Sequence, residues 1–549
     1  MIRRWNAWSL LCAGVTLCLA LPLVALACLL FEDSEGIWRH LVATRLTGYL
    51  FNTIALAIGV GLLTLLIGTA CAWLTSHFRF PGSRFISWGL VLPMAIPTYL
   101  CAYAYGDLLQ ASGFVQSSLR LTTGWSLGEY WFPNIFSVPG AIFLFSVVLY
   151  PYVYLAARSA FAEQSISVLE VSRTLGAGPW SRFFRVSLPL ARPSLAVGCA
   201  LVVMETMAEF GALDYLAVDT LATGVYRTWL GLGSLTGAAQ LSAVLLSLVV
   251  AVIIVEQVLR GRRRHHDSAS RPSARRRVRL SGWRAAGASA FCFAPLLFGF
   301  FVPLVAFMAW TVRAGDTRAA ELFMTLGWNT IALAGIGSVV AVVLALILTY
   351  SAGRSSPRGQ AISTLIARGG YAIPGGVIAI GVLIAMTWID QRLADVTQRM
   401  GWQIELFITG TILAILAAYQ VRFVGIAVGY VESGLTRVKP SLIEAARLLG
   451  ASRASIIRRI VLPLVRPSLL ASGLLVFVEI SKELPATMIL RPFDFDTIAV
   501  RVHQLAADER LEEASTGALA LIGIGLLPVM LLVPMIASAD RSSRGEANS

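Results

Sequence analysis

The sequence predicts an all-α polytopic membrane protein, with about twelve transmembrane helices in two parallel six-helix repeats. Composition is the first reason. Of 549 residues, 57% are hydrophobic and 13% charged, where a soluble domain carries about 25% charged residues. Run length is the second. Many apolar stretches reach the roughly 20 residues of a bilayer span and are too long and continuous for barrel strands. Self-similarity is the third. Asn52-Thr53-Ile54-Ala55-Leu56-Ala57 recurs unchanged as Asn329-Thr330-Ile331-Ala332-Leu333-Ala334, and Ala95-Ile96-Pro97 as Ala372-Ile373-Pro374, both at an offset of 277.

The first repeat is expected to hold spans near 9–31, 50–76, 85–106, 135–160, 191–212 and 238–259. The second holds spans near 286–311, 325–350, 362–389, 405–431, 465–488 and 514–537. An even number of spans leaves both repeats in one orientation, related by a pseudo-two-fold axis along the membrane normal. The first run, after Arg3 and Arg4, imitates a signal peptide. Its Ala25-Leu26-Ala27-Cys28 is a poor lipoprotein box and the apolar run continues through Phe31, so an uncleaved span is expected. Seven cysteines (Cys12, Cys18, Cys28, Cys71, Cys101, Cys199 and Cys292) lie in or beside apolar runs without a Cys-x-x-Cys. That is the pattern of small buried hydrophobes, not of disulfides or a metal site.

Loop charge sets the orientation. Arg79, Arg84, Arg173, Arg182, Arg185, Arg354, Arg358, Arg447, Arg453, Arg458 and Arg459 fall in alternate loops on one side. Glu32, Asp33, Glu35, Asp214, Asp219, Asp494, Asp496, Asp508 and Glu509 lie opposite. The basic side is expected to be cytoplasmic, with both termini inside. The same distribution accounts for the net charge of +14 without nucleic acid. Residues 263–283, rich in arginine and interrupted by Pro272, read as a basic cytoplasmic linker near anionic headgroups. They divide a first domain, 1–262, from a second, 284–549. His265 and His266 are adjacent but have no further ligand spacing, so no metal is expected there.

A second repeat lies in the loop after each fourth span. Glu170-Val171-Ser172-Arg173-Thr174-Leu175-Gly176 reaches Val186-Ser187-Leu188-Pro189 across nine residues. Glu444-Ala445-Ala446-Arg447-Leu448-Leu449-Gly450 reaches Ile460-Val461-Leu462-Pro463 across the same gap, at an offset of 274. The fall from 277 requires a net three-residue deletion in the second repeat, between its third and fourth spans. Small Ala445 and Ala446 would admit another protein's surface, and Gly176 and Gly450 suit a sharp turn between short helices. Pro189 and Pro463 suit the first turn of the next span. One copy alone could be an ordinary interfacial helix-turn-helix; two copies in matching loops weaken that reading. No Gly-x-x-x-x-Gly-Lys-[Ser/Thr] loop occurs, and the lysines are Lys439 and Lys482 alone. Any ATP hydrolysis therefore belongs to another polypeptide. An ion-coupled secondary transporter, which also has repeats and needs no ATPase, is the rival class.

A duplicated acidic pair is the remaining signal. Glu205 and Glu209 correspond to Glu479 and Glu483 at the offset of 274. Positions i and i+4 share a helix face, where like charges repel. The first glutamate lies about 12 residues past Pro193 or Pro467, roughly 18 Å at helical rise. Intramembrane carboxylates normally face a partner or a water-filled path. Four of them near one axis would suit a hard cation. Gate contacts at the outer helix ends, with Lys482 neutralising one carboxylate, explain them equally well, and protonation would also relieve the repulsion.

The loop motif resembles the EAA loop of ABC-importer permeases. Leu149 through Arg158, Glu205 through Gly211, Thr223 through Trp229 and, most specifically, Lys482 through Thr497 resemble ferric-iron permeases over nearly the whole chain. The resemblance implies two fused permease halves that carry no ATPase site, cofactor or stably bound metal of their own. Two copies of a cytoplasmic ABC ATPase would bind ATP and Mg, a periplasmic binding protein would deliver Fe(III), and membrane lipid would surround the spans. Glu170, Gly176, Glu444, Ala445, Ala446 and Gly450 would dock the ATPase. Val171 and Ser172 depart from the two-alanine pattern, which predicts a looser fit of the first loop. Fused permeases for thiamine, polyamines or aminophosphonates share the scaffold.

Overall fold

The computed structural model describes residues 7–164, 172, 174, 176, 178–260, 278–315, 317–351, 357–400, 408–435, 438 and 440–545. Among these, eleven helices are long and apolar enough to cross a membrane, and the bent pair Ser83–Ala95 and Thr98–Thr123 makes a twelfth span. The first repeat contains α1 (Ala7–Leu29), α2 (Leu46–His77), α3 (Thr98–Leu109, in the bent pair), α4 (Val138–Glu163), α5 (Leu188–Ala208) and α6 (Leu235–Arg260). The second contains α7 (Gly282–Leu296) running on into α8 (Val302–Ala314), then α9 (Thr317–Ser351), α10 (Pro357–Ala372), α11 (Gly375–Arg399) and α12 (Ile412–Leu435). The loop helix α13 (Pro440–Leu448) follows, then α14 (Leu462–Ser481), the short α15 (Pro485–Leu490) and α16 (Ile498–Ala507), and α17 (Leu511–Gly545).

The third span of each repeat is broken, where 85–106 and 362–389 were each expected to run as one helix. The breaks fall at the repeated Ala-Ile-Pro. The first span bends by 93° there, and Pro97 and Pro374 adopt ψ 141° and 139° at the starts of α3 and α11. Proline offers no N–H to the preceding turn and pushes the residue before it towards extended backbone, as seen at Ile96.

The described chain forms two compact units, and each takes segments from both repeats. One comprises Met1–Trp38, Val225–Ala243 and Thr317–Val502; the other comprises Arg39–Gly224, Val244–Asp316 and His503–Ser549. In the first unit, α1 packs on α9, α10 and α11. The contact is close: a Cβ on Gly381 would lie 2.4 Å from the carbonyl oxygen of Pro22. In the second unit, α7 meets α2 and α4, and α8 meets α3 and α17. Each repeat thus gives its first helix to the unit built mainly from the other. A parallel strand pair, β1 (Phe78–Arg79) with β2 (Val278–Arg279), holds the start of the second repeat beside the end of α2. The strand Val278–Arg279 falls within the expected linker 263–283, whose residues 263–277 lie outside the described residues.

Candidate functional site

The loop helix α13 ends in a hydrogen-bonded stop. The Ala451 N–H donates to Ala446 O at 3.0 Å and the Gly450 N–H to Arg447 O at 3.0 Å. These two bonds define a Schellman motif, which requires a left-handed residue after the C-cap. Gly450 supplies it at φ 77°, and Gly176 has the same φ of 77° in the first copy. A left-handed glycine is thus common to both loops. Ala446 is placed differently from expectation. Rather than presenting a small surface outward, it is buried with Val438, Ile456, Val461 and Val465. Ile443, one turn earlier, packs on the same cluster, so these residues form the inward stripe of the helix. Glu444 and Ala445 are exposed. Leu448 and Leu449 are 90% and 87% exposed, an apolar end the motif reading overlooked. Glu170 lies outside the described residues. In both copies the following span opens with a π turn, Phe183–Ser187 or Ile457–Val461, placed directly before Leu188-Pro189 or Leu462-Pro463.

At the other end of these spans the acidic pairs do not share a helix face. α5 ends at Ala208 and α14 at Ser481, so Glu209 and Glu483 lie beyond the helix ends. The physical cause is local: Pro485 has no N–H for the Ser481 carbonyl, and Gly211 is a poor helix former at the matching break. Both glutamates instead cap the short helix that follows. Glu209 Oε1 accepts from the Ala212 N–H at 3.2 Å, and Glu483 Oε2 from the Ala486 N–H at 3.0 Å. The unchanged Asn-Thr repeat anchors the next segment. The Asn52 and Asn329 amides donate to the carbonyls of Asp219 and Asp496 at 2.7 and 3.2 Å. Thr53 and Thr330 Oγ1 accept from the N–H groups of Leu221 and Ile498, each at 3.0 Å. These anchors are again 277 apart, so the second repeat recovers three residues after Glu483, in the loop bearing the Arg491–Asp496 ion pair.

The second acidic pair is held by cations. Arg422 Nη1 donates to Glu483 Oε1 at 2.8 Å, with side-chain exposures of 11% and 2%. Lys482 Nζ lies 2.9 Å from Glu479 Oε1. A Cβ on Gly375 would lie 2.1 Å from Arg422 Nη1 and 2.3 Å from Glu483 Oε1, so bare backbone at the start of α11 makes room for the pair. Beside it, Tyr419 Oη and Thr487 Oγ1 are 2.5 Å apart. At the matching positions the first repeat has Val148 for Arg422 and Ala208 for Lys482. Four equivalent carboxylates are therefore not what the structure presents. Glu479 and Glu483 each meet a cation, while Glu205 and Glu209 are half-buried.

Around Glu209, the second unit holds a different polar cluster. Tyr103 Oη lies 2.6 Å from His503 Nδ1, and the Tyr103 ring packs on Tyr215 with centroids 4.8 Å apart. Phe210, next to Glu209, covers His503 at 5.8 Å. Neither Tyr103 nor His503 belongs to a repeated motif, so the sequence carried no signal for the pair. Among the described residues, no three His, Cys, Asp or Glu side chains converge as a metal site.

The chain matches the family model described as a binding-protein-dependent transport system inner membrane component twice, over residues 64–264 and 341–539. It is 24% identical to the Fe(3+)-transport system permease protein FbpB 2 of Haemophilus influenzae over 538 residues, 96% of this chain and 97% of that protein. It is also 24% identical to the ferric transport system permease protein FbpB of Actinobacillus pleuropneumoniae, over 93% of this chain and 74% of its relative. With the molybdenum transport system permease protein ModB of Escherichia coli it shares 27% identity over 36% of this chain and 86% of ModB. With two family domains, matching loop turns and multiple membrane helices, the chain belongs to the binding-protein-dependent transport system inner membrane components, the permease subunits of ABC importers.

Proposed function

We propose that this permease moves Fe(III), delivered by a periplasmic binding protein, into the cytoplasm at the expense of ATP hydrolysed by two copies of a separate ABC ATPase. The observation that carries the substrate is whole-length collinearity with ferric transport permeases. ModB, by contrast, aligns with only 36% of the chain. In this reading Gly450 and Gly176 set the docking turns, while ATP and Mg stay with the ATPase. The chain contributes no cofactor and holds Fe(III) only in passage.

In this reading Glu205, Glu209, Glu479 and Glu483 line the path of the cation, the second pair with Lys482 and Arg422 beside it. The test is uptake by the complete transporter, with its ATPase and binding protein, in proteoliposomes. Radioactive Fe(III) should accumulate with ATP, and molybdate and 2-aminoethylphosphonate should not. Glu205→Gln with Glu209→Gln keeps shape and the capping acceptor while removing charge. Iron uptake should fall at least about tenfold, the scale of one charge-assisted contact, with assembly intact. Wild-type uptake by that variant would remove the carboxylates from the path. Preferential accumulation of another solute would replace Fe(III) as the substrate.

The arginine-bearing loops are assigned to the cytoplasm, and the segment containing Asp494 and Asp496 to the periplasm. In a cysteine-free background, Ser268→Cys should resist an impermeant thiol reagent applied outside intact spheroplasts, and Asp494→Cys should react. The reverse pattern would invert the topology.

A further inference from the structure

We propose that the groove beneath β1 and β2 binds one anionic phospholipid, with its phosphate at Arg279 and Arg79 and one acyl chain laid along α7. The groove has a volume of about 800 Å³ and lies wholly within the second unit. Its floor is one face of a helix: Gly282, Ala285, Ala286, Ser289, Ala290 and Phe293 recur at helical spacing. That face runs roughly 16 Å along the helix at 1.5 Å per residue. A hydrocarbon core is roughly 30 Å thick, so the groove matches about one leaflet. The opposite wall includes Pro81 and Ile86. This open, mainly apolar trough, in which Ser289 Oγ donates to the Pro81 carbonyl at 2.9 Å across the floor, offers an alkyl chain one face of α7, which a free anion or a nucleotide would leave uncovered.

The mouth of the groove is basic. Register in the strand pair places Arg79 directly beside Arg279, and Arg279 lines the groove. Neighbouring strands are about 4.8 Å apart, and like charges directly across from one another are destabilising. Among the described residues, no carboxylate forms an ion pair with Arg79, Arg84, Arg279 or Arg284. A bound phosphate would relieve the repulsion. Trp283, next to the lining residue Gly282, is 80% exposed, with the Arg284 guanidinium 5.6 Å from its ring. Aromatic residues of this kind favour the headgroup level of a bilayer. Basic pockets between spans on the cytoplasmic side suit anionic headgroups. The chain's own segment before β2 is a poor occupant, since Arg275, Arg276 and Arg277 would add positive charge to the pair. This inference is independent of which solute crosses.

Photo-crosslinking tests it. The full-length chain would be purified in mild detergent and exposed to phosphatidylglycerol carrying a photoreactive group in one acyl chain. Phosphatidylcholine with the same chain serves as the comparison, and the labelled peptides are mapped. Labelling of 282–293 should favour phosphatidylglycerol. Each arginine near an anionic phosphate is worth about 1 kcal/mol, or roughly fivefold. Arg79→Gln with Arg279→Gln should therefore lower that preference by about twenty-five-fold while leaving phosphatidylcholine labelling unchanged. Ala286→Phe, which fills the slot and keeps both arginines, should reduce labelling by both lipids and leave the melting temperature unchanged. Equal labelling by the two lipids in the wild type would mean ordinary surrounding lipid and would overturn the proposal. So would a preference that survives loss of both arginines. Labelling that appears only after residues 262–277 are replaced by glycine and serine would show that this segment fills the groove, and would also overturn it.

Discussion

Replacing Arg422 with alanine should destabilise the protein by about 3–5 kcal/mol, the usual cost of stranding one member of a buried ion pair. The substitution would leave the Glu483 carboxylate, 2% exposed, accepting from the Ala486 and Thr487 N–H groups but without its Arg422 countercharge. A lowered melting temperature of the purified chain, read by size-exclusion recovery after heating, checks this. Arg422→Met combined with Glu483→Gln should recover more than half of the loss. Glutamine still offers an oxygen to the Ala486 N–H, and neutral replacement of both partners removes the desolvation cost. Gly375→Ala should behave like the single change, because its Cβ would enter the space of the pair. An unchanged melting temperature for Arg422→Ala would mean that Glu483 is held neutral and needs no cation.

The spans and repeats were legible because their signals are periodic and long. Apolar runs of bilayer length recur six times per repeat, and Asn52-Thr53 and Asn329-Thr330 turned out to mark one anchoring arrangement used twice. Breaks were harder to read. Pro97 and Pro374 were visible as repeated residues, yet hydropathy runs through them without a dip. The shared-face reading of the glutamates failed because it extended helical geometry across Ser481, although Pro485 already denied that carbonyl its donor. Arg422 was also available: a lone arginine within a span calls for a partner, and Glu483 is that partner. By contrast, nothing local in α1 or α7 says that each packs in the unit built mainly from the other repeat. Their apolar faces suit many neighbours, and tertiary packing alone selects one. Tyr103 and His503 are separated by 400 residues in the chain, and neither has a repeat counterpart.

Exchange of Leu448 and Leu449 for serine should weaken ATPase docking by about a hundredfold without lowering the melting temperature. Both side chains are almost fully exposed in the isolated chain, so they contribute little to its folding. Burying a leucine is worth about 1.5–3 kcal/mol, and part of that gain is lost to ordering at an interface. A combined loss near 3 kcal/mol corresponds to roughly a hundredfold in Kd. Gly450 acts on the same surface through backbone conformation. Gly450→Val forces a branched side chain to φ 77° and dismantles the stop that aims α13, whereas Gly450→Asn should retain most docking because asparagine tolerates the left-handed region. Titration of labelled ATPase against the chain in nanodiscs measures both effects. In the proposed complex two loops bind together, so a lesion in one should remove avidity without abolishing attachment; pairing it with Gly176→Val should abolish transport-coupled ATP hydrolysis. Undiminished affinity after both leucine changes would move the contact to the exposed Glu444 and Ala445 side of α13. Equal losses for Gly450→Val and Gly450→Asn would show that the turn serves through its open space and not through its left-handed backbone.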